Sequence, residues 1–136
     1  MSVSKLTTEN FRNLASGTHS FHPDLNFIIG DNGSGKSSFL ESIFFIAHGK
    51  SFRTNKIDNL AYYQKAHFVV SVKDNNDCQM GISRHIDNSH TLIKVNGERQ
   101  TKLSDLAKNI AVQIITPESF RLFFGGPKER RRFVDL

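Results

Sequence analysis

Three of the six residues at positions 30–35 are glycine, and Lys36 and Ser37 follow directly. A run with so few Cβ atoms does not sustain a helix or a strand, so the chain must form a loop there. Its two flanks differ in kind. The apolar run LNFII at 25–29 reads as a short buried strand. Beyond the loop, Phe39, Leu40, Ile43, Phe44 and Ala47 recur at helical spacing, which predicts a helix from near Lys36 that stops at Gly49.

Within that strand–loop–helix context, Gly30, Asp31, Asn32, Gly33, Ser34, Gly35, Lys36 and Ser37 satisfy G-x-x-x-x-G-K-[ST] at every fixed position. The physical content of the pattern is an anion cradle. Glycines let successive backbone N–H groups turn inward, and the helix start adds unpaired amides and the positive end of its dipole. Lys36 supplies a point charge to β- and γ-phosphates, and the Ser37 hydroxyl can ligate Mg²⁺. Ser38, next on the helix, is grouped with them. The alternative is a glycine-rich turn that happens to hold Lys and Ser; the flanking elements favour a P-loop that takes a nucleoside triphosphate, read as ATP with Mg²⁺.

The rest of the chain is rich in strands. Alternation and turn residues predict strands at 3–11, 15–21, 67–72, 79–84, 91–95 and 112–115. Asn96 and Gly97 signal a tight hairpin. Residues 51–65 look irregular, with room for one short helix; a helix at 103–110, capped by Ser104, and another opening at Pro127 complete the pattern. The expected class is α/β, with a mixed β-sheet, one helix after the P-loop and a hairpin-rich half.

A length of 136 residues suits one compact domain. The formal net charge of +5 permits contact with phosphates, nucleic acid or acidic lipid without requiring any of them. One cysteine, Cys78, excludes an internal disulfide and fits a reducing compartment. The N-terminus lacks an apolar stretch of signal-peptide length, and no run is long enough to span a membrane. A cytoplasmic protein with no membrane partner is expected. None of the six histidines pairs with Cys78 at metal-ligand spacing, so no zinc site is expected.

Several further segments carry a resemblance. Phe11, Arg12 and Asn13 resemble the NFRN opening of the RecF family, and GDNGSGKSSFLESI is similar to its P-loop element. HGKSFR at 48–53, ITPES at 115–119 and GGPKERRRFVD at 125–135 resemble further elements of that family, in the same order. The resemblance implies the first lobe of an ABC-type ATPase head related to SMC proteins, over 1–126, and the start of a helical second lobe at 127–136. It also implies a weak, DNA-dependent ATPase acting in recombinational gap repair, replication and the SOS response. Its implied partners are single-stranded, double-stranded or gapped DNA, RecO and RecR, and a second copy joined in an ATP-dependent homodimer.

The resemblance also marks what these residues lack. They carry neither an ABC signature nor an acidic strand of Walker B type, so an N-terminal fragment with little or no hydrolysis of its own is expected. No catalytic residue is assigned within it. A Q-loop glutamine is not evident; Gln113 lies early, and Glu118 is a weak substitute. Arg12 matches a family residue that approaches the nucleotide, against the alternative of a solvated turn residue. His48, Lys50 and Arg53 either contact phosphates or place favourable charge near a helix C-terminus. Lys128, Arg130, Arg131 and Arg132 read mainly as a solvated helix face. Two other functions are open to a chain with a P-loop. A P-loop kinase acting on a metabolite calls for a parallel βαβ sheet, which the consecutive strands at 67–95 argue against. A nucleotide-gated interaction module without a DNA role is the third.

Overall fold

The computed structural model describes residues 2–116, 126–128 and 131. Six strands form one sheet: β1 (Val3–Glu9), β2 (Gly17–Ser20), β3 (His67–Asp74), β4 (Gln79–His85), β5 (His90–Val95) and β6 (Glu98–Gln100), in the order β2-β1-β3-β4-β5-β6. Every pairing is antiparallel. The sheet expected to be mixed is therefore antiparallel among the described residues, while the α/β class and P-loop architecture stand. The cause is connectivity: β3 to β6 follow one another through short turns, which only antiparallel neighbours allow.

One face of the sheet is covered. Along β3, burial alternates strictly, with Phe68, Val70 and Val72 inward. Leu6, Met80, Ile82 and Ile93 continue that face on neighbouring strands. Helix α1 (Lys36–His48) lies across it with Phe45, Ile46 and Ala47 buried. Phe11, Phe45 and Phe68 meet at ring-centroid distances of 5.6–6.2 Å, the tilted and edge-on geometry that aromatic quadrupoles favour. Gly49 ends α1 by donating its N–H to the Phe45 carbonyl at 2.7 Å.

The β5–β6 turn is the one the sequence calls for. Asn96 and Gly97 sit at φ 51° and 82°, and Val95 pairs with Glu98 across a two-residue loop. A short 3₁₀ helix at Ile57–Leu60 occupies the irregular stretch after α1.

Three expectations need correction. Residues 25–29 are not a strand: no described residue pairs with them, and Phe27 and Ile29 are 80% and 90% exposed. A strand exists only with a neighbour to satisfy its amides and carbonyls, and apolar composition does not supply one. Residues 112–115 also form no strand; the Val112 carbonyl instead accepts from His48 Nε2 at 2.8 Å. The helix expected at 103–110 shortens to α2 (Ser104–Ala107), and Ser104 is not its cap. The Asn109 side chain donates to the Asp105 carbonyl, competing with a helical continuation. The P-E-S part of the 115–119 element, Glu118 included, and the helix opening at Pro127 lie wholly or largely outside the described residues. Lys128 and Arg131 are described and exposed.

Candidate nucleotide-binding site

The loop after residue 29 delivers the chain into α1 through Gly35, at φ 101° and ψ 8°. That conformation is strained for any residue with a Cβ, which explains the second fixed glycine of the pattern. At the first, Gly30, a Cβ would sit 2.5 Å from Ser34 Oγ, a close approach from which the serine side chain would have to turn away. At its N-terminus, α1 has no side-chain cap and no acidic residue in the first turn. Its leading amides and dipole are thus left to an anion. Lys36 Nζ folds back over the loop, donating to the carbonyls of Gly30 and of Asp31, the latter at 2.9 Å. These are contacts that phosphate oxygens can replace.

A cleft of about 920 Å³ opens in front of this loop. Asp31, Asn32, Gly33, Gly35, Lys36, Ser37 and Ser38 line one wall. Gly30 and Ser34 are not on it; they border a separate depression beside Leu14 and Phe27. The rest of the lining is built where β1 ends. Phe11 bridges Ala61, the Arg12 N–H donates to the Leu60 carbonyl at 2.7 Å, and the Tyr62 N–H donates to the Asn10 carbonyl at 2.6 Å. This short pairing places Arg12 and Asn13 beside Tyr62, Tyr63, Gln64 and Lys65 on the cleft.

Arg12 is not a solvated turn residue. Its guanidinium donates to Glu41 of α1, Nε to Oε1 at 2.8 Å and Nη2 to Oε2 at 3.0 Å. Glu41 is fully buried and also accepts from Ser51 Oγ at 2.5 Å. Arg53 Nη1 stands 3.6 Å from Glu41 Oε1 and 3.4 Å from Ser38 Oγ. Of the three basic residues that follow the P-loop helix, Arg53 alone lines the cleft. His48 stacks on Phe44 at 4.2 Å and turns to Val112, and Lys50 is exposed elsewhere. Gln113 is exposed and does not line the cleft.

Sequence reasoning passed over Glu41, Ser51 and the Tyr62–Tyr63 pair. A signal for Glu41 was present: it lies four residues after Ser37, so it shares that face of the helix, one turn along. No local pattern announces the tyrosines, because the Phe11–Ala61 pairing that brings them to the cleft is long-range.

Residues 2–126 match the family described as RecF/RecN/SMC N terminal domain. The chain is 65% identical over 136 residues to the DNA replication and repair protein RecF of Colwellia psychrerythraea, covering all of this chain and 36% of that protein. It is 45% identical to the protein of the same name from Pseudoalteromonas translucida, covering 100% of this chain and 38% of the relative. The chain thus spans well under half the length of these relatives. A solved structure of the recombination mediator protein RecF of the RecFOR pathway, with ATP, superposes with a TM-score of 0.85 at 28% identity, over 98% of this chain and 37% of that one. A structure from work on ATP-driven dimerization and DNA-stimulated activation of SMC ATPases superposes with a TM-score of 0.77 at 21% identity, over 99% and 98% of the two chains, and shares the fold. The chain belongs to the RecF/RecN/SMC N-terminal domain family, on its RecF side.

Proposed function

We propose that this chain is the ATP-binding lobe of a RecF-type DNA repair ATPase. The observation that carries the reading is the cleft itself: the uncapped start of α1, Lys36, Ser37, Arg12 and Arg53 all border one space. Its size is within the roughly 300–1,000 Å³ of small-molecule sites. The polyphosphate would lie along residues 31–38, and the base toward Tyr62 and Tyr63, whose exposed rings offer a stacking surface.

The donor set fits Mg²⁺. Ser37 offers one exposed hydroxyl beside the phosphate cradle, and Mg²⁺ characteristically takes one or two protein ligands while phosphates and waters complete its octahedron. Bound there, the ion would neutralise charge on the β- and γ-phosphates. The residues of the chain bind and orient: amides and Lys36 hold the phosphates, and Arg12 and Arg53 add positive charge to the same cleft.

DNA binding, ATP-dependent pairing of two heads, and work with RecO and RecR in gap repair, replication and the SOS response belong to the same proposal. Their support is the naming of the relatives as DNA replication and repair proteins and of the structural neighbour as a RecFOR-pathway mediator. A cytoplasmic site of action is proposed with them; no helix among the described residues is long and apolar enough to cross a membrane.

Calorimetric titration with Mg·ATP tests the core of the reading. Wild-type protein should bind, and Lys36→Ala should lose about 100-fold or more in affinity, the scale of two charge-assisted contacts. Equal affinity in the two proteins would end it.

A further inference from the structure

Glu41 is the one fully buried carboxylate among the described residues, and no step of nucleotide binding set out above uses it. Burying a carboxylate is costly, and an apolar residue of similar volume often serves a fold as well or better. What the charge does in place of packing is visible in its partners. Both oxygens are taken by Arg12 in a fork-to-fork pair, and Ser51 Oγ secures one of them. The main chain of Arg12 is fixed as well, by its N–H bond to Leu60. The Arg12 side chain is therefore anchored at its backbone and at its guanidinium, 23% of it is open, and three of the five guanidinium N–H groups are not taken by Glu41 on a residue that lines the cleft. Arg53 is held more loosely at 3.6 Å, with 40% of its side chain open. One carboxylate between two guanidiniums leaves net positive charge facing the phosphate wall.

We propose that Glu41 is a positioning residue: through its buried pair it pre-orients Arg12, and more weakly Arg53, toward the polyphosphate. This rests on the nucleotide reading of the cleft and goes beyond it. Arginine side chains are rich in rotamers, and ordering one on binding weakens affinity; a donor already aimed avoids that loss. Glu41 stands on the same helix as Lys36 and Ser37, so one rigid element carries the P-loop residues and holds Arg12 beside them.

The test is a double-mutant cycle read by Mg·ATP titration on the 136-residue chain, with thermal melts to establish that each variant is folded. Glu41→Gln keeps the size of the side chain and removes its charge. It should weaken binding about tenfold, as should Arg12→Ala. The double variant should lose about tenfold as well, not the hundredfold of independent effects, because Glu41 acts through Arg12. A merely structural role would lower the melting temperature and leave the affinity of the folded protein alone. Folded Glu41→Gln that binds like wild type, or losses that multiply, would overturn the proposal. If Glu41→Gln does not fold, Arg12→Lys decides: it keeps the charge and loses the fork, so affinity near that of Arg12→Ala supports positioning and wild-type affinity refutes it. A wild-type protein that fails to bind Mg·ATP overturns the nucleotide reading and this proposal with it. Binding abolished by Lys36→Ala but untouched by Glu41→Gln removes the proposal alone.

Discussion

Ser37 and Lys36 are neighbours with separable roles, and the separation can be measured. The Lys36 ammonium already bridges loop carbonyls, so its part in binding is charge and needs no metal. The Ser37 hydroxyl matters only through the ion it would ligate. Ser37→Ala should therefore lower ATP affinity about tenfold in Mg²⁺ and leave it unchanged in EDTA, since one hydroxyl ligand is removed and no phosphate contact is lost. Paired titrations check this; an equal loss in both buffers would show that Ser37 binds phosphate directly.

At the scale of single elements, the β5–β6 hairpin gives the cleanest case. Gly97 sits at φ 82° with open space where a Cβ would be, so its constraint is the backbone angle alone. Gly97→Ala should destabilise the protein by about 1 kcal/mol in urea denaturation, the usual difference at a left-handed position. Gly17, on the exposed edge strand β2, has the same open space and no positive φ. Gly17→Ala should stay within roughly 0.5 kcal/mol of wild type, so the pair isolates conformation from packing. Helix α1 couples the fold to the site in a different way: its buried face carries Phe45 and Ile46 into the core while its first turn opens onto the cleft.

Seen whole, the molecule is covered on one side and bare on another. The core is contiguous from β1 to β5 beneath α1, yet Leu25, Phe27 and Ile29 stand 66%, 80% and 90% exposed next to the P-loop. Side chains so open contribute little to the stability of this chain. The double variant Phe27→Ser, Ile29→Ser should keep an unfolding free energy within about 0.5 kcal/mol of wild type and reduce light scattering at high protein concentration. A clear loss of stability would show that the segment is packed in solution.

Local chemistry made the phosphate loop, the start and stop of α1 and the Asn96–Gly97 turn legible, because each depends on residues within a few positions of one another: glycines where φ turns positive or a Cβ would collide, and apolar side chains at helical spacing. Arg12 was legible only through resemblance, and its partner Glu41 not at all, although the spacing from Ser37 held the clue. The antiparallel order of the sheet, the unpaired state of residues 25–29 and the meeting of Arg12 with Glu41 and Tyr62 were decided by tertiary structure. The reason is physical: hydrogen bonds between strands, and ion pairs spanning 29 residues of chain, depend on which distant segment arrives alongside, and neither apolar content nor periodicity carries that information.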